Sequence, residues 1–400
     1  MATENASRFN CDVYEQSFSV SYDYPVYFTR SVFEKGSDLL SSVIDRKDGP
    51  LPHRIMVYID SGVADTTPGI VERVKEYFEG SPDRLLLVCE PRVVPGGENA
   101  KNGWRDVRDI MRALGDQHMC RQSYVVTIGG GSVLDMVGFA ASLVHRGVRQ
   151  VRLPTTVLSQ NDAGVGVKNA MNERETKNFV GCFAPPFAVI DDFDFLRTLE
   201  QEDWVGGIAE AFKVAIIKDA DFFDFLCGNA TRLRDRDEKV MEALIRRCAI
   251  LHLEHIRTGG DPFEFGSSRP LDFGHWSGHK LEGMSGFALG HGQGVAVGIA
   301  LDSFYAARKE MISERDRDRI LEGLVNSGLP AYTPLLSRRV GGNRLEILEG
   351  MEDFREHLGG NLTVALPDGI GAKVEVNDMD IEVIAEGIEF LQERYGGGAE

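Results

Sequence analysis

The sequence predicts an α/β N-terminal domain with a mainly parallel sheet, followed by an α-helical C-terminal domain. Three observations carry this. Short apolar strands alternate with helical segments up to about residue 195, and such alternation builds a parallel sheet covered on both faces. Beyond that point strand patterns nearly vanish, and apolar residues recur at helical spacing. The chain's 400 residues suit two domains, each able to bury a core. The boundary is expected near Asp194, giving residues 1–194 and 195–400.

Ser17 to Phe28 alternates polar with apolar or aromatic residues and contains Pro25, which predicts an edge strand or hairpin. Arg54 to Asp60, Leu85 to Val88 and Tyr124 to Ile128 are predicted strands, with helices over Ile70–Phe78 and Val107–Leu114 between them. In the second half, helices are predicted over Ile208–Leu226, Val240–His255, Gly292–Arg308 and Ile381–Arg394. No internal repeat interrupts this order.

Composition narrows the function. Apolar residues make up 42% and charged residues 26% of the chain, as in globular enzymes. A net charge of -18 disfavours nucleic acid and anionic membranes as partners, because phosphate neutralisation needs clustered cations. It leaves room for a small anionic substrate held by local cations. Cys11, Cys89, Cys120, Cys182, Cys227 and Cys248 show no CxxC spacing, a pattern of reduced thiols rather than a disulfide framework. A polar Met1–Arg8 and no long apolar run predict a cytoplasmic protein without signal peptide or membrane span.

Three of the nine histidines fall within seventeen residues, as His275, His279 and His291, each beside glycine. With Glu210, in Gly207-Ile208-Ala209-Glu210-Ala211-Phe212-Lys213, they offer the imidazole and carboxylate donors of a catalytic zinc site. Lys213 lies three residues past Glu210, on the same helical turn. Ile128-Gly129-Gly130-Gly131-Ser132-Val133-Leu134-Asp135 places three glycines between a strand and an apolar helix. Backbone N–H groups there can approach a phosphate at a helix N-terminus, though the spacing is not the Rossmann fingerprint. Lys168, among Gly164, Val165, Gly166 and Val167, either finds a buried anionic partner or reaches solvent.

With these residues in view, the chain resembles the sugar phosphate cyclase superfamily, whose best-known member is 3-dehydroquinate synthase. The likeness runs from about Asp60 to Gly371. Pro95-Gly96-Gly97-Glu98-Asn99-Ala100-Lys101 is similar to the family's nucleotide segment, and the triple-glycine turn to its NAD pyrophosphate turn. His145-Arg146-Gly147, Pro154-Thr155-Thr156 and Lys177-Asn178 follow in order, and Glu210, His275 and His291 fall on the metal ligands.

The resemblance implies NAD and zinc, or cobalt in its place, as cofactors. The NAD site would be lined by Asp60, Glu98, Lys101, Gly129, Gly130, Gly131, Ser132, Asp135, Thr155, Thr156 and Lys177. It implies a cycle in which a substrate hydroxyl is oxidised and later restored, phosphate leaves by elimination, and the opened sugar closes by an aldol step. Asp162 and Lys213 would hold substrate hydroxyls, and His279 would handle a proton or contact phosphate. Lys168, Asn178 and His357 would hold the phosphate. Arg146 would reach the phosphate of a neighbouring subunit, which implies a homodimer.

Departures from the family pattern bear on the substrate. Dehydroquinate synthases carry an arginine seven residues before the first metal histidine, an asparagine three before it and a lysine further upstream, which grip a carboxylate. Counted back from His275 without gaps, those positions hold Ser268, Asp272 and Glu254. Acids there repel a carboxylate and suit a neutral polyol end. Arg269 and Arg257 lie nearby, and a one-residue slip would restore positive charge. These replacements resemble the branch acting on sedoheptulose 7-phosphate, and His279 resembles its 2-epi-valiolone-type members. Two alternatives remain, a 3-dehydroquinate synthase and a metal-dependent polyol dehydrogenase.

Overall fold

The computed structural model describes residues 13–47, 49, 51–174, 176–263, 271–357 and 362–398, the side chains of Glu356 and His357 excepted. Its sheet contains β1 (Val26–Thr29), β2 (His53–Asp60), β3 (Leu85–Leu87), β4 (Arg92–Val94), β5 (Tyr124–Gly129) and β6 (Arg149–Pro154). After an antiparallel hairpin of β7 (Lys168–Glu173) and β8 (Thr176–Phe183), β9 (Ala188–Asp192) returns to it. The order is β1-β9-β6-β5-β2-β3, with β4 also beside β2, and every pair is parallel.

Residue alternation explains the layers. On β2, Ile55, Val57 and Ile59 enter one core while Met56 and Tyr58 enter the other. A strand apolar on both sides must be covered on both. Helices α1 (Leu39–Asp45), α2 (Ser61–Thr66) and α3 (Ile70–Glu79) pack on the first face, α4 (Arg105–Asp116) and α5 (Gly131–Leu143) on the second. The chain leaves β2 towards β3 and β4, then returns on β2's other side as β5. The strand order therefore switches between β2 and β5, where open α/β sheets bind ligands at their carboxyl ends.

Beyond β9 the chain is helical: α6 (Gln201–Lys218), α7 (Ala220–Arg234), α8 (Glu238–Thr258), α9 (His275–Met284), α10 (His291–Arg308), α11 (Glu314–Asn326), α12 (Glu349–His357) and α13 (Ile381–Tyr395). Their apolar stripes meet in one core that includes Phe212, Phe223, Trp276 and Leu301. Two small hairpins, Arg339–Val340 with Arg344–Leu345 and Val364–Pro367 with Lys373–Val376, are the remaining strand pairs among the described residues. None of the described helices is long and apolar enough to cross a membrane.

Two expectations are corrected. The alternation from Ser17 to Phe28 yields the expected edge strand, but only as the four-residue β1, paired in parallel with β9 and not in a hairpin. Phe18, Val20 and Tyr22 before it are exposed, so that stretch has no apolar surface to lie on. The helix expected over Ile208–Leu226 is two helices. Asp219 leaves helical geometry at φ −153° and ψ 94°, and its carboxylate accepts the Phe222 N–H at 3.1 Å, a local bond that starts α7 anew.

Candidate active site

Glu210 lies mid-way along α6 with no solvent exposure, and Lys213 one turn on pairs with its Oε2. Its Oε1 stands 3.5 Å from His275 Nε2 and 3.5 Å from His291 Nε2. Donor atoms about 2.0–2.1 Å from a tetrahedral ion stand roughly 3.3–3.5 Å apart, so these spacings fit a shared cation better than direct hydrogen bonds. Neither Glu210 oxygen receives a hydrogen bond of normal geometry. The Lys213 ammonium compensates Oε2, and Oε1, between the two imidazoles, is the oxygen open to a further cation.

Each imidazole is oriented by its other nitrogen. His275 Nδ1 lies 3.1 Å from the Phe273 carbonyl, which assigns the proton to Nδ1 and leaves the Nε2 lone pair free. Burial, reinforced by Lys213, lowers the His275 pKa to about 3, so the ring is the neutral donor a metal requires. His291 Nδ1 lies 2.8 Å from Glu282 Oε1. Burial opposes charge on His291, but Glu282 outweighs it and raises the pKa to about 9. Burial also works against charge on Lys213, yet Glu210, Asp162 and Asp272 hold it protonated.

Three helices position these groups. His275 opens α9 after Gly274, whose φ of 76° is the left-handed region that favours glycine. Asp302 of α10 accepts the Gly274 N–H at 3.1 Å and the Trp276 Nε1–H at 2.8 Å, tying the start of α9 to α10. His291 is the first residue of α10. His279 is exposed beside them, its ring centroid 5.1 Å from that of His275 and 5.6 Å from that of His291.

Asp162 extends the cluster from the π-turn Ser159–Ala163. Its Oδ1 lies 2.7 Å from His252 Nε2. Burial raises the Asp162 pKa, but His252 more than reverses this and brings it to about 2. Asp162, Glu210 and His252 present donor atoms within 4.8 Å of one another. The neighbouring Gln160 and Asn161 are structural: their amides donate to the carbonyls of Pro154 and Asp192, and of Gly207.

A second group gathers at the sheet's switch point. Asp60 ends β2, and its carboxylate accepts the Gly62 N–H at 2.8 Å and the Gly130 N–H at 3.4 Å. Gly129 ends β5, and α5 begins at Gly131. A Cβ on Gly129 would meet Asp60 Cβ and Val133 Cβ at 3.0 Å, whereas one on Gly130 would meet Thr156 Cγ2 at 3.4 Å. Glu98 accepts from Ser132 Oγ at 3.1 Å and from Asn172 Nδ2 at 2.9 Å. Lys101 is buried, 2.7 Å from Asp135 and bonded to Asn178 Oδ1. Thr155 is buried with its N–H on the Gly129 carbonyl, and Thr156 Oγ1 bonds Ser159 Oγ. A glycine turn at a helix N-terminus, over the carboxyl ends of β2 and β5, fits the phosphates of a dinucleotide.

The two groups touch through Lys177, whose ammonium bonds Glu282 and lies 3.8 Å from Glu98. Other expected residues lie apart or differ in setting. Lys168 is exposed at the start of β7, not buried. Arg146 is exposed beyond the far end of α5, about 20 Å of helix from the glycine turn at 1.5 Å per residue. Ser268, Arg269 and the side chain of His357 lie outside the described residues.

Counting without gaps misplaced one position. Glu254 is exposed and paired with Arg257 on its own helix; the α8 residue that reaches the cluster is His252. The unmatched count crosses the segment between α8 and α9, where spacing need not be preserved. Glu282 was missed as well, although it follows His275 by seven residues, two helical turns along one face.

Residues 92–206 match the 3-dehydroquinate synthase N-terminal family and residues 207–342 the 3-dehydroquinate synthase C-terminal family. A 3-dehydroquinate synthase of Vibrio atlanticus (strain LGP32) is 34% identical over 309 residues, covering 75% of this chain and 81% of the relative. The solved structure of ValA, a 2-epi-5-epi-valiolone synthase from Streptomyces hygroscopicus subsp. jinggangensis 5008 with NAD+ and Zn2+ bound, superposes with a TM-score of 0.84 at 28% identity. It covers 95% of this chain and 100% of that one. A 2-deoxy-scyllo-inosose synthase complexed with carbaglucose-6-phosphate, NAD+ and Co2+ shares the fold, with a TM-score of 0.71 at 22% identity over 91% of this chain and 95% of that one.

Proposed function

The chain belongs to the 3-dehydroquinate synthase family of sugar phosphate cyclases, and from that premise we propose that it converts sedoheptulose 7-phosphate to a C7 cyclitol of the 2-epi-valiolone type with release of phosphate. In this reading Glu210, His275 and His291 hold a divalent metal, and the switch-point group holds NAD. Together the bound groups supply reversible oxidation of a substrate hydroxyl and polarisation of its oxygens. Lys213, fixed against Glu210, and Asp162, fixed by His252, orient the substrate hydroxyls. His279 stands exposed at the mouth of the cluster, placed to move a proton at an imidazole nitrogen. Arg146, exposed beyond the far end of α5, serves the phosphate subsite of a second copy, as the family resemblance implies.

The observation that carries the choice of substrate is the lining beyond Lys213. There the cluster presents Asp162, Asp272 and the imidazole of His252, and Arg257 is engaged by Glu254. Carboxylates gathered in a shielded site disfavour a second carboxylate on the substrate, and they accept hydrogen bonds from a polyol. The 0.84 superposition on a 2-epi-5-epi-valiolone synthase supports a cyclitol product, while the choice of the 2-epi-valiolone type rests on His279. The curated relatives at 33–34% identity support the second reading, a 3-dehydroquinate synthase.

Phosphate release with NAD and metal at fixed concentration decides between them. The expected result is turnover of sedoheptulose 7-phosphate without accumulating NADH, and little or none of 3-deoxy-arabino-heptulosonate 7-phosphate. Preference for the acid substrate returns the chain to 3-dehydroquinate synthesis. NADH that accumulates without phosphate indicates a polyol dehydrogenase.

A further inference from the structure

We infer that Glu282 is a positioning residue of the metal site, fixing the His291 imidazole through one carboxylate oxygen while Lys177 fixes the other. The inference rests on the reading that Glu210, His275 and His291 hold a metal. Helix geometry brings the residue there: His275, His279 and Glu282 sit at i, i+4 and i+7, on one face of α9. Glu282 is 2% exposed, so its charge needs partners on both oxygens. Oε1 accepts from His291 Nδ1 at 2.8 Å, and Oε2 accepts from Lys177 Nζ.

The arrangement suits an imidazole that ligates through Nε2. A carboxylate on Nδ1–H fixes the tautomer, stops the ring turning about its bond to Cβ, and makes Nε2 a stronger donor. Among the described residues His275 has the Phe273 carbonyl for that task, so the two histidines are supported unequally. Lys177 keeps Glu282 from swinging away. It also continues the contacts, through Glu98 at 3.8 Å and Ser132 Oγ at 3.1 Å from Glu98, as far as the glycine turn. A carboxylate that merely clamped the β7–β8 hairpin to α9 would need Lys177 alone, and the short bond to His291 Nδ1 would have no purpose.

The test uses the full chain, with zinc affinity measured by chelator competition and the visible spectrum of the cobalt-loaded protein. Wild type, Glu282→Gln, Glu282→Asp and the ligand-loss reference His291→Ala are compared after circular dichroism has shown each to be folded. The expected result is one bound metal in wild type and in both Glu282 variants. In those variants the dissociation constant should rise about 10–100-fold, and the cobalt bands should shift as the imidazole loses its fixed orientation. The aspartate keeps the charge but falls short of Nδ1, so it reports on geometry where the glutamine reports on charge. Unchanged affinity and spectrum in either folded variant overturns the role of Glu282. A wild type that binds no metal overturns the reading of the site itself, which is a separate failure.

Discussion

At His275 one side chain does three things: it ends a left-handed entry into α9, donates Nδ1–H to a carbonyl and aims Nε2 at Glu210. Its burial keeps it neutral over the whole physiological range, so its Nε2 lone pair, 3.5 Å from Glu210 Oε1, is open to a shared cation. His275→Ala is therefore expected to abolish stoichiometric metal binding and turnover together, while NAD affinity stays within a few-fold; full metal occupancy in a folded variant would refute the triad. Asp302 beneath it makes a pH prediction. Burial raises its pKa to about 7 despite the bonds from Trp276 and Gly274 that lower it. The folded state then keeps a proton that the unfolded chain releases near pH 4, so stability from this group falls as pH rises from about 4 to 7, by up to roughly 1.4 kcal/mol per pH unit. Above pH 7 the effect levels off. Asp302→Asn cannot titrate, so denaturant unfolding should show the variant gaining on wild type between pH 5 and 7.5; a constant difference would sink the assignment.

At the scale of elements, the site depends on how closely backbones approach. A Cβ on Gly298 of α10 would lie 2.0 Å from the Gly274 carbonyl, and one on Gly292 would lie 2.1 Å from the Gly206 carbonyl. These glycines let α10 press against α9 and α6, the helices that carry His275 and Glu210. Gly298→Ala should force α9 and α10 apart, costing about 1–3 kcal/mol of stability and weakening metal binding without touching a ligand. Calorimetric unfolding and a zinc titration measure both effects, and unchanged metal affinity in a destabilised protein would separate packing from the site. The turn after β5 behaves differently. A Cβ on Gly130 would meet Thr156 Cγ2 at an ordinary contact distance of 3.4 Å, so Gly130→Ala should fold and yet weaken NAD binding, because the added methyl stands where phosphate must approach. Unchanged affinity by calorimetry would make the turn purely structural.

The same scale explains what the sequence could convey. Strands β2 and β5 and helices α3, α4, α8, α10 and α13 were legible because long apolar runs or 3.6-residue stripes have few alternative partners. The break at Asp219 carried a readable capping signal, but the apolar stripe continued across it. The hairpin of β7 and β8 was not legible: its outer positions are half-exposed and polar, and its place depends on packing against α5 and on Lys177 reaching Glu282. His252 and Glu282 were hidden for one reason. Each is an ordinary helix residue until a partner distant in sequence, Asp162 or His291, arrives beside it.

At the scale of the whole molecule, Arg146 poses the remaining question. It lies exposed with φ 65° in a turn beyond the end of α5, and the proposed function assigns it to the phosphate of a second copy. Two-fold symmetry would then give each of two sites one arginine from its neighbour. Arg146→Ala alone should lower kcat/KM for the phosphorylated substrate while NAD and metal binding persist. Lys213→Met alone should be inactive through its own site. Mixed after unfolding and joint refolding, the two variants form heterodimers in which one site has both defects and the other has neither. Activity should return to about a quarter of the wild-type level at equal mixing, since half the dimers are mixed and half their sites intact. If Arg146 acts within its own chain, no site in any combination is whole, and the mixture shows no more than the average activity of the two variants.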